Sequence, residues 1–184
     1  MRIRYNAPVT LTYAIVCTLV LVVDMVSGRA LTPAFFSIGP SLNTGNPLEW
    51  LRLITHVMGH VDWTHLMSNF AFILLLGPIL EEKYGSGGLF VMILLTALAT
   101  GVMNVLFMNT GLLGASGIVF MMILLVSFTN IRSGDIPLTF ILVVALYLTR
   151  EIIASVREDS ISQFAHIVGG VCGSLFGFIR PGRS

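Results

Sequence analysis

Four polar side chains inside otherwise apolar stretches could together attack a carbonyl group: Ser116, His166, His65 and Asn69. A serine hydroxyl is a weak nucleophile until a base removes its proton, and a neutral histidine can act as that base near pH 7. The attacked oxygen becomes negative, so hydrogen-bond donors must stabilise it. His65 and Asn69, spaced i and i+4, share one helical face and can both donate. The backbone N–H of Ser116, at the start of a helix, is a third available donor.

The string Gly114-Ala115-Ser116-Gly117 places glycines on both sides of the candidate nucleophile. Because glycine lacks a Cβ atom, a substrate backbone could approach Ser116 closely there. The alternative is a glycine-rich loop in which Ser116 only caps a helix, and such strings arise readily in a chain with 18 glycines. The place of Ser116 at the head of an apolar segment, level with two histidines, favours the nucleophile.

The last apolar segment carries a strip of small residues at every fourth position: Ala165, Gly169, Gly173 and Gly177. Strips of this kind let membrane helices pack closely, and packing alone is enough to explain the glycines. His166 lies beside the strip, so a closely docked helix would present it to a neighbour. We expect that neighbour to be the helix that begins at Ser116. The alternative for His166 is an ordinary packing residue.

The elements that position these residues are predicted to be membrane helices. Hydrophobic residues make up 55% of the chain and charged residues only 10%, against about 25% charged in soluble domains. The net charge of +1 gives no electrostatic case for nucleic acid as a partner. Backbone groups must be satisfied inside lipid, and a spanning helix needs about 20 apolar residues. Six segments come near this length: 9–26, 65–80, 88–108, 116–130, 136–153 and 162–179, the second and fourth being short.

The prediction is therefore an all-α membrane protein, a six-helix bundle forming a single domain over 1–184. The second, fourth and sixth spans run inward from the same side, so His65, Ser116 and His166 start at similar depth. Their lateral meeting depends on packing, which the pattern does not decide. Lysine and arginine favour cytoplasmic termini by six to four, and the candidate site then opens to the outer side.

The connection from Ser27 to Thr64 is long and ends in an amphipathic stretch over 48–60 that contains His56 and His60. These two histidines have the i, i+4 spacing of some metal sites, but zinc needs three or four protein ligands. His65 as a third ligand would lack thiolate or acidic partners, so we predict no metal site. Hydrogen bonds from His56 and His60 that stabilise the connection and the start of the second span are the expected alternative.

Taken in order, these motifs resemble the rhomboid family of intramembrane serine proteases over about 50–179. The matching strings are Thr55-His56, His60, His65-Leu66-Met67-Ser68-Asn69, Gly77 followed by Glu81 to Ser86, Gly114-Ala115-Ser116-Gly117, and Ala165 to Gly169. Each string is weak alone, whereas their combination, order and predicted depth are specific. The chain departs from the family pattern at Leu51, where tryptophan usually precedes Arg52, and at Phe120, where tyrosine is common.

The resemblance implies a catalytic dyad of Ser116 and His166 without a carboxylate, and an oxyanion hole made of His65, Asn69 and the Ser116 N–H. It implies that Gly114, Gly117, Phe120 and Gly169 bind substrate or support the site. The long first connection would be a loop partly embedded in the membrane. Arg52 and Glu81 match positions that brace this loop in the family, the alternative being solvated surface charges.

The predicted function is a serine endopeptidase that cleaves transmembrane segments of other membrane proteins through an acyl-enzyme, without a cofactor. It would lie in a lipid bilayer, the bacterial inner membrane, with helix-breaking residues near the cut in its substrates. One rival is a small transporter or channel in which His65, Asn69 and His166 line a pore, although no internal repeat is present. A second rival is a non-catalytic binder of membrane helices, against which the intact Ser116 and His166 count.

Overall fold

The computed structural model describes residues 4–108, 110–128 and 160–179, with a few isolated helical positions between 138 and 149. Within these ranges the regular elements are helices, joined by turns and loops, and an isolated antiparallel bridge pairs Ile38 with Leu112. The helices are α1 (Pro8–Val26), α2 (Leu31–Phe35), α3 (Pro47–Thr55), α4 (Trp63–Tyr84), α5 (Ser86–Phe107), α6 (Ser116–Phe128) and α7 (Ser160–Ile179), with a 3₁₀ turn at His56–Met58 after α3.

Three of these helices, α1, α4 and α5, are long and apolar enough to cross a membrane. The apolar parts of α6 and α7, Ser116–Ser127 and Gln163–Ile179, are shorter. At 1.5 Å per residue, the described part of α6 is about 20 Å long, against the roughly 30 Å of the hydrocarbon layer. The predicted count of six spans is therefore not confirmed, and the predicted fifth span, 136–153, lies outside the continuously described residues.

The helix α4 is longer at both ends than the apolar run predicted. Its first turn is capped by Asp62, whose Oδ1 accepts from the His65 N–H at 2.7 Å, so the helix begins at Trp63. Its last turn includes the charged residues that the sequence placed in a connection. The helix ends at Gly85, which has φ +75°, and α5 follows at once. A glycine is needed there because L side chains rarely adopt that conformation.

The Glu81 side chain on α4 is bonded to the start of α1. Its carboxylate accepts hydrogen bonds from the N–H groups of Val9 and Thr10 at 2.9 and 3.1 Å, and from the Thr10 and Ser86 hydroxyls at 2.9 and 2.7 Å. The side chain is 5% exposed, so it is not a solvated surface charge. It satisfies the otherwise unpaired first N–H groups of α1. The loop-bracing role that the resemblance implied for Glu81 stays a prediction.

Arg52 joins α3 to α2 within the first connection, and the loop-bracing role that the resemblance implied stays a prediction. Its Nε and Nη2 donate to the carbonyl oxygen of Ala34 at 2.9 and 2.7 Å, and its Nη1 pairs with Glu49 at 2.6 Å. The Thr55 hydroxyl donates to the carbonyl of Phe35 at 2.5 Å. The helices of the first connection are thus joined to each other by side-chain to backbone bonds, which keep their order without a sheet or a disulfide.

The bundle is built around α6, a helix that is hydrophobic on all sides. Every residue from 117 to 123 is buried, as expected for a helix enclosed by others rather than facing lipid on one side. Fully enclosed side chains come from four helices: Leu21, Ile73, Leu80, Leu89, Ile118, Met121, Met122 and Leu125. The residue that opens α6, Ser116, is therefore held by a well-packed core.

Candidate active site

The loop before Ser116 is fixed by backbone bonds to the first connection. Ile38 and Leu112 exchange two N–H to carbonyl bonds of 2.9 and 3.0 Å, and the Gly114 N–H donates to the His56 carbonyl at 3.0 Å. Gly114 has φ +114°, a conformation that favours glycine. The chain then turns into α6, whose first residue, Ser116, is half-buried. This loop therefore presents Ser116 at a defined position.

The backbones of α6 and α7 touch along the predicted strip of small residues. A Cβ atom added to Gly169 would lie 2.1 Å from the Gly117 carbonyl oxygen, and one added to Gly173 would lie 2.3 Å from that of Met121. A Cβ atom on Gly117 would lie 3.3 Å from the Ala165 carbonyl oxygen. No side chain fits between the two helices here. The expectation that the last helix docks on the helix of Ser116 is confirmed.

His166 follows Ala165 and lies at the same contact. Its imidazole stacks on the ring of Phe120, with centroids 4.2 Å apart and planes inclined by 8°. Phe120 is one turn after Ser116, so both project from the same face of α6. The His166 side chain is 8% exposed. The structure thus brings Ser116, Phe120 and His166 to the same side of the α6–α7 contact.

His65 and Asn69 approach the site from α4. A Cβ atom added to Gly114 would lie 2.7 Å from Cε1 and Nε2 of His65, so the imidazole lies directly over the glycine two residues before Ser116. Asn69, one turn after His65 on α4, is 6% exposed. Among the described residues its Nδ2 has no acceptor. A buried donor without an acceptor lowers the stability of the folded state, so the presence of Asn69 at this position calls for a functional explanation.

The His60 ring packs against the His65 ring, a contact that the sequence interpretation missed. The His60 ring meets the His65 ring edge-on at 5.1 Å and lies 5.9 Å from the ring of Phe70. His60 is fully buried. In the part of the chain that the structure describes, no group of three or more His, Cys, Asp or Glu side chains could hold a metal ion. His60 contributes packing rather than a hydrogen bond to His65.

His56 connects the 3₁₀ turn to polar residues of α5. Its Nε2 lies 3.3 Å from the Thr100 hydroxyl, and its Nδ1 lies 3.2 Å from the Arg52 carbonyl oxygen. Asn104, one turn after Thr100, donates to the Thr110 carbonyl at 2.9 Å. The sequence interpretation overlooked this polar face, although Thr96, Thr100 and Asn104 recur every four residues in an apolar helix. That spacing was the available signal.

We expect the protein to lose stability as the pH falls from 6.5 to 4. Burial lowers the pKa of His56 from 6.5 to about 4, and burial with the nearby His65 lowers that of His60 to about 4. In this window the unfolded chain binds protons on both histidines whereas the folded chain does not, so protonation favours unfolding. Above pH 6.5, the pKa of both histidines in the unfolded chain, the full stability of the folded state is present. A pKa difference of about 2.5 corresponds to about 3 kcal/mol for each histidine.

Thermal unfolding in detergent, followed from neutral pH down to about pH 4, measures this loss. The variant His60→Phe keeps a ring at the position but cannot titrate, so its stability should fall less steeply over the same window. An unfolding temperature that stays constant across the window in the wild type would contradict the expected effect of burial on these two histidines.

The comparisons with known proteins agree with the geometry. Residues 47–183, about three quarters of the chain, match the family model of the rhomboid domain. The chain is also similar to a rhomboid-like protein 11, chloroplastic, of Arabidopsis thaliana, with 36% identity over 73 residues. That match covers 39% of this chain and 26% of the relative, so the chain matches only about a quarter of the relative's length. On the strength of the domain match, the chain belongs to the rhomboid family.

Proposed function

We propose that this rhomboid-family chain is an intramembrane serine endopeptidase with Ser116 as nucleophile and His166 as base. The observation that carries the proposal is the stacking of His166 on Phe120, one helical turn from Ser116, where α6 and α7 are in backbone contact. The protein lies in a lipid bilayer and acts on transmembrane segments of other proteins. It needs neither a cofactor nor nucleic acid. The domain extends over 1–184.

In the first step, His166 removes the proton from the Ser116 hydroxyl as the oxygen attacks the substrate carbonyl carbon. The imidazolium then gives that proton to the leaving amine, and an acyl-enzyme remains on Ser116. Water, deprotonated by His166, resolves the ester and restores both residues. Phe120 supports this cycle because its ring covers one face of the imidazole and restricts its orientation. The tyrosine hydroxyl common at this position in the family is not needed for that contact.

The negative oxygen of the tetrahedral intermediate is stabilised by His65, Asn69 and the Ser116 N–H. Two observations support this assignment: the His65 imidazole lies over Gly114, and the buried Asn69 Nδ2 has no acceptor among the described residues. A donor that finds its partner only when charge develops stabilises the transition state more than the ground state. Gly114 allows the close approach because it carries no side chain.

Replacing Asn69 with alanine is expected to lower kcat by about 10²- to 10³-fold, because one oxyanion donor is lost. KM should change little, since the contact forms mainly in the transition state. Cleavage kinetics in detergent measure both constants. The neighbouring variant Ser68→Ala is the control, because Ser68 is exposed and, in the described part of the chain, its hydroxyl bonds only to the His65 carbonyl. A kcat unchanged in Asn69→Ala would remove this residue from the oxyanion hole.

The substrate is a transmembrane helix that must unwind locally to expose a peptide carbonyl. We therefore propose substrates with helix-breaking residues near the cut and, by family resemblance, a small residue just before it. The membrane is the bacterial inner membrane, with cytoplasmic termini and a water-accessible site on the outer side. The orientation rests on the distribution of lysine and arginine in the sequence.

Two other functions remain as alternatives to be tested. A transporter or channel would use His65, Asn69 and His166 to line a polar pore. A non-catalytic binder would keep the fold and hold membrane helices without cutting them. The convergence of Ser116, Phe120 and His166 favours the protease, because neither alternative requires a hydroxyl near the stacked imidazole.

The direct test is cleavage of a single-span reporter reconstituted with the protein in phosphatidylcholine vesicles. Two matched reporters are used, one with a glycine pair in the outer half of its span and one with uninterrupted leucine. We expect cleavage of the first only, with new termini inside the span when the products are mapped by mass spectrometry. A correctly folded protein that cleaves neither reporter, nor any of a panel with different residues before the glycines, would overturn the proposal.

A further inference from the structure

An apolar groove of about 330 Å³ lies on the flank of the bundle between α1 and α5, and we call it the α1–α5 groove. Its walls include Val16 from α1 and Phe90 and Leu94 from α5, and Val57 and Met58 of the 3₁₀ turn contribute to its lining. Two hydroxyls reach the groove, those of Thr12 and Tyr13. Both are engaged, the first with Tyr5 at 2.9 Å and the second with the Val57 carbonyl at 2.8 Å.

The groove opens on the surface that faces lipid. Both of its walls are helices long and apolar enough to cross a membrane. Beside it, Ile15 and Leu19 on α1 are 51% and 56% exposed, and Val91 and Leu95 on α5 are 48% and 49% exposed. In a bilayer these side chains contact hydrocarbon. The groove is thus continuous with the lipid-facing surface of the protein.

The groove is an unfavourable site for water, and leaving it empty is also unfavourable. Water requires polar partners, which the lining does not offer, and an empty apolar cavity forfeits contacts along its whole wall. The volume of about 330 Å³ is roughly twice that of an engineered cavity of about 150 Å³ that holds benzene in another protein. One turn of a helix about 10 Å across, with a pitch of about 5.4 Å, occupies roughly 420 Å³, which is more than the groove holds. A flexible hydrocarbon chain fits both the size and the chemistry.

We propose that the α1–α5 groove binds an acyl chain of a membrane lipid. The chain enters laterally from the bilayer and packs against Val57 and Met58, while the headgroup stays outside the groove. The residues that line the groove include no charged side chain that could recognise a headgroup, so the site selects for hydrocarbon rather than for a lipid class.

The bound chain supports the candidate active site through the 3₁₀ turn. Val57 and Met58 line the groove, and the preceding residue, His56, accepts the Gly114 N–H and contacts the Thr100 hydroxyl. Filling the groove therefore stabilises the turn that holds the loop in front of Ser116. This second step rests on the proposed function, whereas the binding of the acyl chain does not.

The test is photolabelling in phosphatidylcholine vesicles that contain a lipid with a diazirine at mid-chain, followed by peptide mapping. The variants Leu94→Trp and Leu95→Trp form a matched pair, because Leu94 lines the groove and Leu95 projects into lipid beside it. We expect labels concentrated on α1 around Val16 and on α5 around Phe90, several-fold above the rest of both helices. Labelling should fall several-fold in Leu94→Trp and stay at the wild-type level in Leu95→Trp.

A second measurement does not depend on the variants. Excess unlabelled long-chain lipid should suppress the groove labels in the wild type more than those on the exposed faces, because only the groove saturates. Uniform labelling of all lipid-facing surfaces, or equal labelling in the two variants, would overturn the proposal. None of these readouts requires proteolysis, so a failure of the proposed function would leave the binding result intact.

Discussion

Replacing Ser116 with alanine is expected to abolish cleavage of the transmembrane reporter, a loss of about 10⁶-fold that is below detection. The hydroxyl is the atom that forms the acyl-enzyme, and Ser116 lies one helical turn before Phe120, on which the His166 imidazole stacks. Replacing His166 with alanine should cost nearly as much, because the hydroxyl is not activated without its base. The double variant should be no worse than either single one, since the pair acts as a unit.

The control for this prediction is Ser127→Ala on the same helix. The Ser127 hydroxyl donates to the Ile123 carbonyl at 2.8 Å, one turn back along α6, and takes no part in the site. Its variant should cleave at the wild-type rate. The same set separates the rival functions: Ser116→Ala should still capture the reporter if the protein is a protease or a binder, whereas a transporter should keep its transport activity. Reporter cleavage that survives in Ser116→Ala would exclude Ser116 as the nucleophile.

Replacing Gly169 with alanine is expected to have the second largest effect, although glycine to alanine normally favours a helix. The added Cβ would lie 2.1 Å from the Gly117 carbonyl oxygen and 2.8 Å from its carbon. Backbone atoms cannot move aside as a flexible side chain can, so α7 must shift away from α6. A displacement of about 1 Å between nucleophile and base can cost about 10²-fold in rate. Overpacking should also lower stability by about 1–3 kcal/mol.

The adjacent glycine provides the matched control. A Cβ added to Gly170 would meet only the Leu124 side chain at 3.8 Å, an ordinary contact. Gly170→Ala should therefore cleave normally and be as stable as the wild type or slightly more stable, by up to about 1 kcal/mol from helix propensity. Reporter cleavage and thermal unfolding of both variants measure the difference. Equal behaviour of the two variants would show that the close α6–α7 contact does not position the dyad.

The helices were largely predictable from the sequence because apolar runs of spanning length have few alternatives in lipid. The residues at which the helices begin and end were less predictable. The helix α4 begins two residues before the predicted segment because Asp62 caps it, and it continues past Glu81 until Gly85. Polar residues at the end of a membrane helix do not stop it. The backbone conformation of Gly85 ends the helix, and the apolar pattern of the sequence does not predict that conformation.

The candidate site, like the helices, could be predicted only in part. The alternating direction of the spans predicted that His65, Ser116 and His166 start at one depth, and the small-residue strip predicted which helices touch. The contacts that hold the site in place link residues far apart in the chain, such as His56 with Thr100 and with the Gly114 N–H. Such pairs depend on how helices are rotated against one another. A periodicity along the sequence marks a face but does not identify its partner.

The spatial meeting of Ser116 and His166 is tested most directly by a fluorophosphonate probe, which reacts only with a serine activated by a base. The probe is applied to the wild type in detergent and its site of attachment is mapped by mass spectrometry. We expect a single adduct on the peptide that contains Ser116, present in Ser127→Ala and absent from His166→Ala and Ser116→Ala. An adduct that persists in the Ser116 variant, or a folded wild type that reacts with no probe, would contradict the account.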